Sequence, residues 1–523
     1  MMAGAAAWQQ AQQALQRRDF GAASTHLRAT LAQAPTHAMA RILLAGVELA
    51  EGRLRAACAE LLLAAQTMPD DAATVCRLAQ ALMRVGETCA VRDCLGSSAV
   101  AQCRDGATLA ALAHLQQLLG EHAQALLLMD RARESGYDNA DFRYFRAIQL
   151  QFNGRIDEAE RELLACLQMG PSYGRASLTL GRLRKQTPAS QHLEAIRAQR
   201  GRAARGSEDE AACEFALYKE LEDLGDYPQA WAALRRGNEV MQARLRPDAA
   251  SEQQLYAQLM QACDVAWYDA AVTANTATPV GPRPIFIIGL PRSGTTVVDR
   301  ILGNHSQVIS AGELADFAQQ LRYSADLPGR QLLEPALIER LPQIDWAEVG
   351  RRYLRQAGWR AQGHAVFVDK LPANFLLAGM IAAALPHATI LHLVRDPMDV
   401  CFSNYRALFG DAYSYSYGLE SLAAHYTAYR QLMAHWHAVM PGRILDVDYA
   451  ELTTHPEQVT EAILAFCQLP READCHDIAR NSAPVATLST TQVRERIHAR
   501  GAGEWRRYEQ ELLPLREQLK VWL

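Results

Sequence analysis

No stretch of this 523-residue sequence reaches the roughly 18 uninterrupted apolar residues that a bilayer-spanning helix requires. The opening Met1 to Gln10 lacks the basic stretch and apolar core of a secretory leader, so cytoplasmic residence is expected. Paired cysteines are missing too. The 11 cysteines run from Cys58 to Cys475 without a Cys-x-x-Cys, and Cys89 and Cys94 are the nearest two. That spacing argues against a zinc or disulfide framework and for buried, reduced thiols. A net charge of −5 gives no overall attraction to nucleic acid, so any anion site must be local. What remains is 49% hydrophobic and 21% charged, the balance of a folded soluble chain long enough for at least two domains.

The first half is periodic. Gly52, Gly86, Gly120 and Gly154 stand 34 residues apart. Ala57, Val91, Ala125 and Ala159 each follow by five, and Pro69 and Pro171 follow the first and last glycine by seventeen. One period earlier, Arg18, Ala23 and Pro35 occupy the matching offsets, and Gly225 to Ala230 carries a displaced copy. Each feature has a physical role. Glycine closes one helix in a left-handed conformation, a small residue lets the next helix approach, and proline ends the pair. Apolar spacing is helical between them, as in Phe142, Phe145, Ile148, Leu150 and Phe152. This stretch resembles tetratricopeptide-repeat proteins, and residues 1–171 are assigned to such a solenoid. The resemblance implies a concave surface for a protein or peptide; a structural platform or a homodimer contact stays open as the alternative. Residues 172–282 read as a helical bridge and linker, with the basic run Arg197 to Arg202 on a solvated face or loop.

Pro284 to Ile288 is a short β-branched run suited to a buried parallel strand. It enters Gly289-Leu290-Pro291-Arg292-Ser293-Gly294-Thr295-Thr296, and a helix is expected from Val297 to Leu302. Strand, glycine-bearing loop and helix in that order aim backbone amides at an anion. The spacing fits Gly-x-x-x-x-Gly-Lys-Ser/Thr except that Thr295 replaces the lysine. A triphosphate-cleaving enzyme needs that lysine and a magnesium-bound hydroxyl. Arg292, Ser293, Thr295 and Thr296 offer donors with no metal expected.

Pro291 to Thr296 resembles the 5′-phosphosulfate loop of sulfotransferases, particularly the tyrosylprotein and bacterial repeat-fused branches, and the likeness runs from about Arg283 to the carboxy terminus. It implies an α/β P-loop-like domain with a parallel sheet over 283–523 and 3′-phosphoadenosine 5′-phosphosulfate (PAPS) as the sulfuryl donor. Pro291, Arg292, Ser293, Gly294, Thr295 and Thr296 would then hold the phosphosulfate. A second strand, Thr389 to Val394, leads to Arg395-Asp396-Pro397 and a helix from Met398 to Phe409. Arg395 and Ser403 match the family's 3′-phosphate ligands, and a guanidinium fork with a hydroxyl suits a phosphate monoester. Sulfuryl transfer needs a base on the acceptor and a cation at the leaving oxygen. The resemblance assigns these roles to Glu313 and Lys370, with Asp369 as an orienting partner and His305 as the alternative base. Ser489 matches a nucleotide contact in the tail, with Arg496 as a helper. Glu504 replaces a lysine of the tyrosylprotein branch, and Leu314, Ala315 and Asp316 stand where that branch has an arginine; both departures concern the acceptor side.

Arg443 to Val447 is expected as a further strand, with helices over 419–440 and 456–467. Tyr413, Tyr415 and Tyr417 either line an acceptor entrance or lie in an exposed loop. The functional expectation is sulfuryl transfer from PAPS to a hydroxyl, with a protein or peptide tyrosine preferred. Sulfation of a saccharide, lipid or small molecule, and a repeat scaffold with a regulatory nucleotide domain, are the alternatives.

Overall fold

The structure is a computed structural model, and it describes residues 2–170, 172–276, 280–481, 497 and 501–523. Seventeen helices precede the first strand among these residues. Ten form antiparallel pairs: α1 (Met2–Gln16) with α2 (Phe20–Gln33), α3 (Ala38–Ala50) with α4 (Leu54–Gln66), α5 (Ala72–Arg84) with α6 (Thr88–Leu95), then, past the short α7 (Ser98–Gln102), α8 (Gly106–Leu118) with α9 (His122–Glu134), and α10 (Ala140–Phe152) with α11 (Ile156–Met169). The turn residues behave as the period predicts: Gly52, Gly86, Gly120 and Gly154 all have φ between +77° and +83°, and Arg18 takes +57° in the first pair. Ala23, Ala57, Val91, Ala125 and Ala159 are fully buried where paired helices touch. This helical half resembles a tetratricopeptide-repeat array.

α12 (Gly174–Leu183) and α13 (Leu193–Arg202) follow, then α14 (Glu208–Asp223), α15 (Tyr227–Leu245), α16 (Ala249–Ala262) and α17 (Val265–Ala274). The basic run is the end of α13; Ile196 anchors it inward while Arg200 pairs with Glu214 at 2.9 Å. Gly225, at φ +81°, turns α14 into α15 in the manner of the earlier repeats. Phe215, Leu234 and Leu259 share one continuous apolar core with Phe286, Phe317 and Tyr353 of the following domain.

That domain is built on five parallel strands in the order β2-β3-β1-β4-β5, where β1 is Arg283–Gly289, β2 Val308–Ser310, β3 Val366–Asp369, β4 Thr389–Val394 and β5 Ile444–Asp448. Strand β1 is central and buried on both faces, Phe286 and Ile288 toward one core and Ile285 and Ile287 toward the other. The chain runs from β1 to one edge, returns through β3, and crosses to β4. The carboxyl end of β1 is therefore the switch point where open α/β sheets bind ligands. Helices α18 (Thr295–Gly303), α19 (Asp316–Ser324), α20 (Pro335–Ile338), α21 (Trp346–Ala357), α22 (Ala378–Ala384), α23 (Pro397–Tyr405), α24 (Leu419–Val439), α25 (Tyr449–Thr454), α26 (Pro456–Phe466) and α27 (Leu513–Leu519) complete the domain.

Two local expectations change. Helix α23 ends at Tyr405, earlier than expected, and Gly410 turns the chain at φ +65°. The alternating tyrosines are no exposed loop: Tyr415 and Tyr417 are buried in a 3₁₀ turn, where Tyr417 accepts from Phe409 N–H at 2.8 Å and donates to Gly410 O. Only Tyr413 stays half-buried at the surface.

Repeat and sheet regions meet through polar groups that are themselves buried. The turn between α5 and α6 inserts against α19 and α21. Gln320 Nε2 donates to Gly86 O at 2.9 Å, Gln356 Nε2 to Glu87 at 2.6 Å, and Thr88 Oγ1 to Gln356 O at 2.7 Å. Arg352 pairs with Glu87 and lies 3.4 Å over the Tyr323 ring, while Arg55 reaches the carbonyls of Tyr323 and Ser324.

Candidate anion and sulfuryl-transfer site

The loop after β1 takes its shape from two glycines. Gly289 has φ +145° and Gly294 has φ +113°. A Cβ on Gly294 would lie 2.4 Å from the Tyr449 ring, so only glycine fits. Arg292 between them is left-handed at φ +68°. Asn404 Nδ2 pins the loop by donating to Pro291 O at 2.7 Å, and Arg395 Nη1 donates to Arg292 O at 3.1 Å. Helix α18 then begins at Thr295 with no side chain capping its first turn. Such an amino terminus presents backbone donors and a partial positive charge. Thr295 and Thr296 are buried beside it, and the buried Ser293 hydroxyl has no hydrogen-bond partner among the described residues. Ser293 faces a small cleft that Arg395, Tyr429 and Arg430 also line.

The second motif meets the first. Arg292 Nε donates to Ser403 Oγ at 3.3 Å, and Arg395 Nη2 to Gly501 O at 2.8 Å, over the Tyr449 ring. Charge accumulates here. Burial pushes the Arg292 guanidinium down to about 9, and Arg406, Arg182 and Arg395 push it the same way. Burial likewise lowers Arg182, to about 10. Arg406 also has close anionic partners: it pairs with Glu504 at 2.5 Å, with Glu222 4.0 Å away. An arginine whose charged form burial and neighbouring arginines disfavour is stabilised by an incoming anion. Arg182 was not among the expected ligands. It comes from α12, outside the sheet domain, and no sequence motif marks it.

A third group forms at the carboxyl ends of β2 and β3. Ala311 N–H donates to Val368 O and Lys370 N–H to Gly312 O, which lays the two segments side by side. Lys370 Nζ then reaches Glu313 Oε1 at 2.5 Å; the lysine is buried, whereas the carboxylate side chain is 44% exposed. The arrangement leaves one open face on Glu313 and a desolvated cation behind it. Asp299 of α18 is a neighbour sequence reasoning missed. Burial raises its carboxyl, opposed by Lys370 and by a hydrogen bond from Ser310, and Glu313 adds to the rise.

Asp369 departs from its expected role. It is fully buried, its Oδ2 accepts from Tyr353 O–H at 2.9 Å, and burial pushes it up to about 8. Alternation along β3 aims it away from Lys370, so it orients Tyr353 instead. His305 is likewise committed elsewhere: its Nε2 donates to Pro470 O at 3.0 Å and its Nδ1 accepts from Gln307 N–H at 3.1 Å. Ser489 and Arg496 lie outside the described residues. The flanks of that segment are tied to the site, Asn481 to Arg300 at 2.6 Å and Gly503 N–H to Asp399 at 2.7 Å.

Residues 284–473 match the model of the Sulfotransferase family. An uncharacterized protein of Aquifex aeolicus is 32% identical over 317 residues, covering 59% of this chain and 41% of that protein. The chain spans between 15% and 41% of the length of the curated relatives it matches. Among solved structures, the sulfotransferase domain of the Synechococcus PCC 7002 olefin synthase aligns at 19% identity and TM-score 0.32, over 44% of this chain and 90% of that one. A tetratricopeptide-repeat protein of Parabacteroides merdae aligns at 14% identity and TM-score 0.34, over 46% of this chain and 94% of its own.

Proposed function

We propose that the protein moves a sulfuryl group from PAPS to an acceptor hydroxyl, with residues 283–523 as the transferring domain, 1–171 as a partner-recruiting array, and 172–282 joining them. One observation carries this reading: a half-buried arginine cluster without a P-loop lysine lies at the same carboxyl end of the sheet as a carboxylate–ammonium pair. Two anionic ends of a donor would be held, one by the loop and the helix terminus, the other by Arg395 and Ser403. Glu313, on its exposed side, would take the acceptor proton, and Lys370 would stabilise negative charge growing on the leaving phosphate oxygen. Pro291 and Gly294 shape the loop, while Ser293, Thr295 and Thr296 supply hydroxyl donors. Ser489 stays a candidate nucleotide contact.

A tyrosine phenol is the preferred acceptor. Half-buried Tyr413 lies near enough to Glu313 for the carboxylate to help raise its hydroxyl, and Phe409 stacks edge-on to it at 5.0 Å. These rings would face a planar acceptor. The test incubates the full chain with ³⁵S-labelled PAPS and separate pools of tyrosine peptides, oligosaccharides and phenolic small molecules. Label on peptide tyrosine supports the reading. Label on sugars alone overturns the acceptor, and failure of PAPS to bind by calorimetry overturns the donor.

A further inference from the structure

Away from the arginine cluster, β4 and β5 pair in parallel with His392 directly opposite Asp446. Residues in register on adjacent strands project to the same face. The last turn of α24 crosses that face and delivers His437. His392 Nδ1 stands 2.7 Å from Asp446 Oδ1, and His437 Nε2 stands 3.0 Å from the same oxygen. One ligand atom from each of the three residues lies within 4.8 Å of the others.

We infer that His392, His437 and Asp446 bind one divalent transition cation of the zinc kind. Two imidazoles and a carboxylate suit such an ion, whereas magnesium and calcium prefer oxygen alone. Tetrahedral bonds of about 2.0–2.1 Å hold neighbouring donor atoms about 3.3 Å apart. The two histidine–carboxylate separations, 2.7 and 3.0 Å, need to open by only a few tenths of an ångström. His392 is buried and its other ring nitrogen, Nε2, is held by the Tyr429 hydroxyl, the outer-partner arrangement that fixes which nitrogen faces a metal. Binding would move the His392 proton from Nδ1 to Nε2, where Tyr429 accepts it, so a neutral ring needs no proton loss. His437 and Asp446 are partly exposed, which leaves an entry path and a water position. Tyr429 also borders the cleft beside Ser293, so a cation here would brace the sheet behind the phosphate loop without touching the donor.

The test uses the chelator-stripped full chain and Co²⁺ as a visible probe, independent of any transfer assay. One saturable ligand-field band per chain is expected, displaced by Zn²⁺. His437→Arg, which keeps a hydrogen-bond donor for Asp446 but cannot ligate, and Asp446→Asn should each abolish the band with the chain still folded by circular dichroism. Tyr429→Phe should weaken binding about tenfold. No saturable band in the wild type, equal bands in both ligand variants, or a thiolate charge-transfer band arising from the cysteines would each overturn the site.

Discussion

Gly52 and Gly294 both sit in left-handed backbone, yet for different reasons. Around Gly52 nothing approaches an added Cβ within 4 Å, so the residue serves only the turn between two helices. At Gly294 the Tyr449 ring closes on the same position, so the residue serves a cradle. The helical half repeats a local solution and depends on apolar stacking. The sheet half concentrates charge at one edge and holds titratable groups out of water. Gly86 belongs to both: its turn follows the period, but a Cβ there would lie 2.8 Å from Gln319 of α19. Helix α19 starts three residues after Glu313, so the repeat array presses on the helix that follows the candidate base.

The sharpest division between the halves is expected in chemistry. Glu313→Gln should lower kcat by about 10²–10⁴-fold while PAPS affinity, measured by calorimetry, changes little. Unchanged kcat would remove the base from Glu313 and leave the edge as a binding surface only.

The next largest effect tests whether the halves are separable. Glu87→Ala strips the partner from Arg352 and from Gln356 inside the interface. Breaking a buried ion pair costs up to about 3–5 kcal/mol, less where the cation keeps some exposure, as Arg352 does. Urea unfolding should therefore shift and split, the helical half melting apart from the sheet. A single unshifted transition would mean that the two regions are merely adjacent.

A smaller effect asks whether the anion site belongs to the sheet domain alone. Arg395→Ala should weaken PAPS binding by about 1.5–3 kcal/mol, the worth of a hydrogen bond to a charged group. Arg182→Ala, from α12, should weaken it by less, in keeping with a longer-range charge. Equal affinity in Arg182→Ala would return the site wholly to residues after 283.

What was legible in the sequence follows the same line. The period could be read because each repeat solves one local problem, so Gly52 and Ala57 recur with their roles. Strands β1 and β4 could be read because burial on both faces demands continuous apolar runs. Strand β2, only three residues long, left no pattern and is defined by its pairing with β3. Glu313 and Lys370 were legible only through family resemblance, because their contact depends on β2 and β3 lying side by side. Arg182 was not legible at all: it looks like any polar residue on an amphipathic helix, and only the fold brings it near Arg292. Tyr413, Tyr415 and Tyr417 left two readings open because glycine and serine signal a turn without saying whether the turn is buried.

The last effect is one of pH and concerns Asp369, whose burial has no counterpart in the repeats' exposed turns. Its folded value of about 8 lies far above the unfolded carboxyl near 3.8. Between those values the folded chain keeps a proton that the unfolded chain has released, so the unfolded state binds fewer protons and stability falls as pH rises. Asp369→Asn mimics the protonated carboxyl and should remove this slope. Urea unfolding at pH 5 and pH 8 measures it: the wild type should lose more stability across that interval than the variant. Parallel losses would mean that Asp369 is ionised at both values and that Tyr353 donates to a carboxylate.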